Sequence, residues 1–296
     1  MRDFRYHYLN AEVAMEALAH LDRPVAPLGP DSMLWQIAGK RTALLGAGAA
    51  LLLQVAHPVV GAGVHDHSDF ARRPWDRLER TLDSLYTQIF GGQRAIDESA
   101  RLRTLHRTIT GTDEQGRRYH ALQAEAYFWV HATLYLMLVE VERNFGRPLT
   151  REQQVVAYAE WRQLGALLGI PDRVMPTDLD SFHRYADDMI ANTLTANSST
   201  RQVTAVLALR GVPAPTPLLT PAWALGRPAG RRVLTLSTAG LLPANLRERL
   251  DLDWSPRRQA ELNALGAIVR RTEQRLPARA RYFPMAYRAK TAGRAG

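Results

Sequence analysis

Along the segment that follows Pro74, apolar residues recur at alternating steps of three and four: Trp75, Leu78, Leu82, Leu85 and Ile89. That spacing stacks side chains on one face of an α-helix, and a first-turn proline is tolerated because its missing N–H has no partner there. Gly91-Gly92 predicts the end of this helix. Leu102, Leu105 and Ile109 continue the pattern in a second helix, closed by Gly111. A polar loop, Thr112–Arg118, leads to a third helix of roughly Leu122–Phe145, rich in aromatics. Thr150-Arg151-Glu152-Gln153 has the form of a capping box, in which two side chains satisfy each other's backbone N–H, and it predicts a helix start; Gly169 and Pro171 mark its end. Thr177-Asp178-Leu179-Asp180 is a poorer start signal, for a helix through Met189.

The apolar run Ala43–Val64 matches the roughly 20 residues of a membrane span. It contains Gln54, His57, Pro58 and the glycines Gly46, Gly48, Gly61 and Gly63. Proline disfavours helix at the residue before it, so His57 is expected to separate two shorter buried helices, with no integral membrane segment. Arg232–Thr238 alternates weakly and fits a strand or a helix equally; Pro213–Pro221 reads as a connector. No repeat of fixed period is visible. The pattern predicts one all-α domain over residues 31–290, preceded by an N-terminal extension with a short helix at 1–30 and followed by a tail at 291–296.

Composition narrows the chemistry. Cysteine is absent, which excludes disulfides, thiolate metal sites, iron–sulfur clusters and a thiol nucleophile. The 38 basic and 29 acidic residues give a net charge of +9, and only Lys40 and Lys290 are lysines. The arginines interleave with acids over most of the chain, with no basic strip punctuated by aromatics, so the charge reads as a solvated surface and not as nucleic-acid binding. The opening Met1-Arg2-Asp3-Phe4-Arg5-Tyr6-His7 has no apolar core of an export signal, and a cytoplasmic location is expected.

His106 has Leu102 and Ile109 as helical neighbours, which places its imidazole on an apolar stripe. It reads either as a core histidine bonded to a carbonyl or as a metal or haem ligand. Arg77, Thr81, Ser84 and Gln88 form a polar stripe on the preceding helix, either a solvated face or the edge of a pocket where Arg77 offers a charged fork and Thr81 a hydroxyl. His57, His65 and His67 form a third group; His65-Asp66-His67 has a spacing that suits a strand or loop, and surface or capping roles compete with metal binding. His131, among core aromatics, reads as structural. Gly-rich phosphate loops, Gly-x-Ser-x-Gly and paired Glu-x-x-His segments are absent.

Read in order, several segments resemble the MpaB-type and rubber-oxygenase (latex-clearing protein) catalytic-domain family. They are Gln54-Val55-Ala56-His57-Pro58, Gly63-Val64, His67-Ser68-x-Phe70, Arg77-Leu78-x-Arg80-Thr81 and Phe90-Gly91. His106-x-x-Ile109-x-Gly111, Tyr119-x-Ala121-Leu122, Trp129-Val130-His131-Ala132 and Gly165-x-x-Leu168-Gly169-x-Pro171 continue the series, so the resemblance covers roughly Leu34 to Pro284.

The resemblance implies a globin-like helical core with extra helices that binds haem b, in an enzyme that activates dioxygen. Members cleave carbon–carbon double bonds in polyisoprene or in a prenyl side chain. Arg103-Thr104-Leu105-His106 matches the family's Arg-x-x-His segment, which makes His106 the expected haem ligand and, with Arg103, His57 and His131, part of the expected cofactor pocket. Arg77, Arg80 and Thr81 align with the distal arginine, lysine and threonine. Arg80 departs from a lysine that ligates iron in some members; a guanidinium stays protonated and is a poor ligand, so the position opposite His106 is expected to be open or water-filled. The implied function is oxidation of a small lipophilic substrate, prenylated or unsaturated, with dioxygen and an electron donor as further partners. Arg77 and Thr81 would stabilise negative charge developing on oxygen. Leu51–Val55 and the Tyr127–Leu138 helix would wall the substrate. The competing readings are a haem or lipophile carrier without turnover, and a non-haem iron oxygenase using His57, His65 and His67.

Overall fold

Ser32 caps the first helix of the computed structural model, which describes residues 26–70 and 72–292. The short helix expected within residues 1–30, the opening Met1–His7 and the last four residues of the tail lie outside the described residues. After α1 (Met33–Ile37), the long apolar run divides at His57 into α2 (Leu44–Val55) and α3 (Pro58–His67), bent by 104°. Pro58 is the first residue of α3, where its lack of an N–H is harmless. No single helix among the described residues is long and apolar enough to cross a membrane.

The helices α4 (Pro74–Phe90) and α5 (Gln93–Arg107) form a hairpin around Gly91-Gly92, and Gly92 adopts φ +53°, a left-handed conformation that glycine takes without strain. The second of them stops earlier than its apolar spacing predicts. Ile109 lies beyond the helix, and Gly111 belongs not to a helix cap but to β1 (Thr110–Thr112), which pairs antiparallel with β2 (Arg118–His120). The bare Cα of Gly111 explains this: a Cβ there would stand 2.5 Å from the Tyr119 hydroxyl, so only glycine lets the tyrosine cross the pair. Within the expected polar loop, Asp113 accepts from the backbone N–H groups of Gln115 and Arg117 and closes the turn.

The remaining elements are α6 (Ala124–Phe145), α7 (Arg151–Leu167), α8 (Leu179–Asp188), α9 (Ser198–Leu207), α10 (Thr220–Leu241), α11 (Ala244–Arg249), α12 (Pro256–Arg275), α13 (Ala278–Arg281) and α14 (Pro284–Ala292). The Thr150 capping box forms as predicted. For α8 the cap is Asp178, not Thr177: its carboxylate accepts from Ser181 N at 2.8 Å, and the helix then runs on as a π turn, Met189–Thr193. Arg232–Thr238, ambiguous in the sequence, is helical within α10. The molecule is all-α apart from the one small strand pair among the described residues.

Packing centres on α2. Its small residues let α6 and α10 close on it: a Cβ at Gly46 would meet Val141 at 2.6 Å, and one at Gly48 would collide with Thr238. Trp129 Nε1 donates to Leu53 O across the α2–α6 contact. Two carboxylates, Glu142 buried and Glu160 half-buried, tie the periphery to this core. Glu160 of α7 accepts from Met33 N and Leu34 N, both at 2.7 Å, satisfying the open end of α1. Glu142 of α6 receives the Lys40 ammonium at 2.7 Å, and Glu273 of α12 lies 3.7 Å from the same nitrogen.

Candidate functional site

The antiparallel hairpin of α4 and α5 sets the geometry of the site. Halfway along it Ser84 Oγ donates to Glu98 Oε1 at 2.5 Å, and Glu98 also holds Arg101. Gln88 is buried and donates to Ser84 O. Of the predicted polar stripe, Ser84 is thus consumed in closing the hairpin and Gln88 in a bond within α4. Carrying the Ser84–Glu98 register toward the open end brings Arg77 level with His106, each about 21 Å from the Gly91-Gly92 turn at 1.5 Å per residue.

His106 is half-buried, and its Nδ1 lies 2.8 Å from Leu102 O. A carbonyl only accepts, so Nδ1 carries the proton and Nε2 is left with a free lone pair. Burial lowers the pKa of the ring, and the charges of Arg77 and Arg101 lower it further, outweighing the bond to Leu102. The imidazole is therefore neutral at pH 7. Leu105, expected on the same apolar stripe, turns out to be 48% exposed. Arg77 is exposed, yet surrounding protein desolvates it and, with the charge of Arg80, lowers its pKa. It is thus accessible to water yet partly screened by the surrounding protein. Thr81 Oγ1 donates to Arg77 O at 2.8 Å, a bond within the helix. Arg80 is exposed, with Asp69 Oδ1 at 3.9 Å.

Tyr127, in the first turn of α6, figures in the sequence only as the start of an expected apolar wall. Its ring centroid lies 5.5 Å from that of His106, tilted by 58°. Its hydroxyl is buried with no hydrogen-bond partner among the described residues, and burial raises its pKa to about 12. Arg103 lies near enough to oppose that shift, and its guanidinium donates to Leu167 O at the end of α7, where arginine also complements the helix dipole. Gly169, at φ +77°, leaves room for this side chain: a Cβ there would be 2.8 Å from Arg103 Cδ.

The other histidines stand apart. His131 and Trp161 exchange hydrogen bonds, Nε2 to Trp161 O at 2.8 Å and Trp161 Nε1 to His131 O at 3.0 Å, with rings stacked at 4.8 Å. His57 is buried at the start of α3 with Nδ1 unpartnered; no hydrogen bond or ring contact among the described residues joins it to His106 or Arg77. His65 and His67, expected in a strand or loop, sit in the last turn of α3 because Pro58 starts a helix long enough to include them. His67 donates to Thr110 O at 3.1 Å. Among the described residues no three His, Asp or Glu side chains are grouped to hold a metal, so His57, His65 and His67 do not form the converging set a non-haem iron centre requires.

An all-α scaffold that sets a neutral histidine and an arginine at the open end of one helical hairpin defines the class of helical protein to which comparison with known proteins points. The chain belongs to the family described as ER-bound oxygenase mpaB/B'/rubber oxygenase, catalytic domain, whose profile matches residues 35–271. It is therefore of oxygenase type, an oxidoreductase class. It is 27% identical over 241 residues to an uncharacterized protein of Mycobacterium tuberculosis and, equally, to one of Mycobacterium bovis; each alignment covers 79% of this chain and 90% of the relative. No solved structure matches the chain.

Proposed function

We propose that the protein is a haem b-dependent oxygenase acting on a small lipophilic substrate, prenylated or unsaturated, with His106 as the haem ligand. One observation carries this reading: His106 is locked by Leu102 in the tautomer that leaves Nε2 free, level with Arg77 at the open end of the hairpin. A histidine ligand needs its other ring nitrogen bonded in this way, since that bond fixes ring orientation and raises basicity. The unpartnered Tyr127 hydroxyl beside it also fits a pocket built to receive a polar or ligated group.

Haem b, when bound, supplies the activation of dioxygen. The chain supplies the rest. His106 offers Nε2 as ligand, Arg77 presents N–H donors where negative charge develops, and Thr81 adds a hydroxyl once released from Arg77 O. Arg103 holds α5 against α7 and so keeps His106 in place. The segments Leu51–Val55 and Tyr127–Leu138 would wall a lipophilic substrate, with the partly buried Leu51, Tyr127 and Leu134 as their accessible apolar side chains. An electron donor acts as partner.

The purified protein, or the protein titrated with haemin, should show an intense Soret band and a b-type pyridine haemochrome. His106→Ala should lose most of the bound haem, whereas His57→Ala should keep it. Full haem content with an unchanged spectrum in His106→Ala would refute the assignment.

A further inference from the structure

The helical stretch that starts at Pro217 and continues as α10 stands away from the body of the protein. From Pro217 to Arg232 every residue except Trp223 is exposed. Leu218 is 90% exposed, Leu225 87% and Leu219 47%. Leu218, Ala222 and Leu225 follow at steps of four and three and share one side, while Arg227 and Arg231 project from the opposite side. Charge along this stretch of chain is of one sign. Between Asp188 and Glu248 the chain has no acidic residue, yet it carries Arg201, Arg210, Arg227, Arg231, Arg232 and Arg247. Arg232 pairs with Glu261 of α12 at 2.9 Å; Arg227 and Arg231 face no carboxylate among the described residues.

Exposed leucines on one side and arginines on the other, with acids excluded, match the chemistry of an anionic lipid surface. The leucines enter the acyl boundary and the guanidinium groups, on long apolar stems, reach headgroup phosphates. The stretch is also fixed to the N-terminal turn of α4. Trp223 packs edge-on against Trp75, with ring centroids 5.2 Å apart, and Trp75 Nε1 donates to Pro213 O at 2.8 Å. Trp75 lies in the first turn of α4. We infer that Pro217–Arg232 is a docking surface for an anionic membrane, inserting Leu218 and Leu225. This docking is independent of the proposed function.

The test is flotation of the full chain with vesicles of phosphatidylcholine alone or mixed with phosphatidylglycerol. Binding to the mixed vesicles, weakened by salt, is expected, and it is read without haem or turnover. Each of Leu218→Ser and Leu225→Ser should weaken it roughly tenfold, and each of Arg227→Gln and Arg231→Gln about fivefold. Arg173→Gln, an exposed arginine between α7 and α8, should leave binding unchanged. Thermal melts of the variants, whose side chains are exposed, should match the parent. Absence of vesicle binding, or equal binding by the leucine variants, would overturn the inference. So would a dimer in solution that Leu218→Ser and Leu225→Ser split, since a second copy would then cover the face.

Discussion

Replacing Tyr127 by phenylalanine separates what this side chain does for the fold from what it does for the proposed haem site. The ring stays, and with it the contact to His106 at 5.5 Å, a type of pair that contributes about 0.5–1.5 kcal/mol beyond burial. Only the hydroxyl goes, and in the cofactor-free protein that hydroxyl is buried without a partner. A buried polar group left unpaired costs about 1–3 kcal/mol, so Tyr127→Phe should stabilise the cofactor-free protein by that amount, raising Tm by about 2 °C per kcal/mol for a chain of this size. With its pKa at about 12 the phenol is neutral at any working pH, so the gain should not vary between pH 6 and 9. Haem binding should move the other way. If the hydroxyl donates to a group in the haem-loaded protein, its loss should weaken haem affinity by about 1–3 kcal/mol, or roughly 5- to 150-fold. Urea unfolding of the cofactor-free variant and haemin titration of the same preparation read both effects. A less stable cofactor-free variant would show that the hydroxyl already has a partner and would refute the reasoning.

Arg77→Leu should retain haem yet turn over a lipophilic test substrate about a hundred- to a thousandfold more slowly, the usual loss for one preorganised donor; oxygen uptake measures it, and unchanged turnover removes Arg77 from the site. Because Arg80 cannot readily offer a neutral nitrogen, the reduced haem-loaded protein should bind carbon monoxide in one phase whose rate rises with its concentration, and a concentration-independent rate would reveal an internal ligand. Burial lowers His57 and His131 from 6.5 to about 4 and raises Glu160 from 4.5 to about 7. As pH falls below 6.5 the unfolded chain protonates histidines that the folded one keeps neutral, which removes stability; Glu160 adds stability as pH falls through about 7 toward 4.5. Two groups outweigh one, so urea unfolding should show a net loss of about 1–2 kcal/mol between pH 7 and 5, at least doubled in Glu160→Gln, and a gain on acidification would contradict the assignment of buried neutral histidines.

The local sequence alone determined the features whose physics is local. Pro58 breaks the apolar run because its ring disfavours helix at His57 whatever surrounds it. Pro74 and Gly91-Gly92 bracket α4 for equally local reasons, and the Thr150–Gln153 box is closed by atoms three residues apart. The order of these signals was enough to indicate the family and to place His106 and Arg77 on consecutive helices. Where a partner is distant in the chain, the signal was missing. Gly111 read as a helix cap because nothing nearby announces the Tyr119 ring that crosses it. His131 is held by Trp161, thirty residues on, and the hydroxyl of Tyr127 acquires meaning only beside His106 of another helix. Tertiary structure likewise decided that Arg77 and His106 stand level, because their common height depends on the hairpin register set by Ser84 and Glu98. Backbone preference acts over a few residues, whereas burial, desolvation and an unpaired hydroxyl exist only once separate helices have packed together.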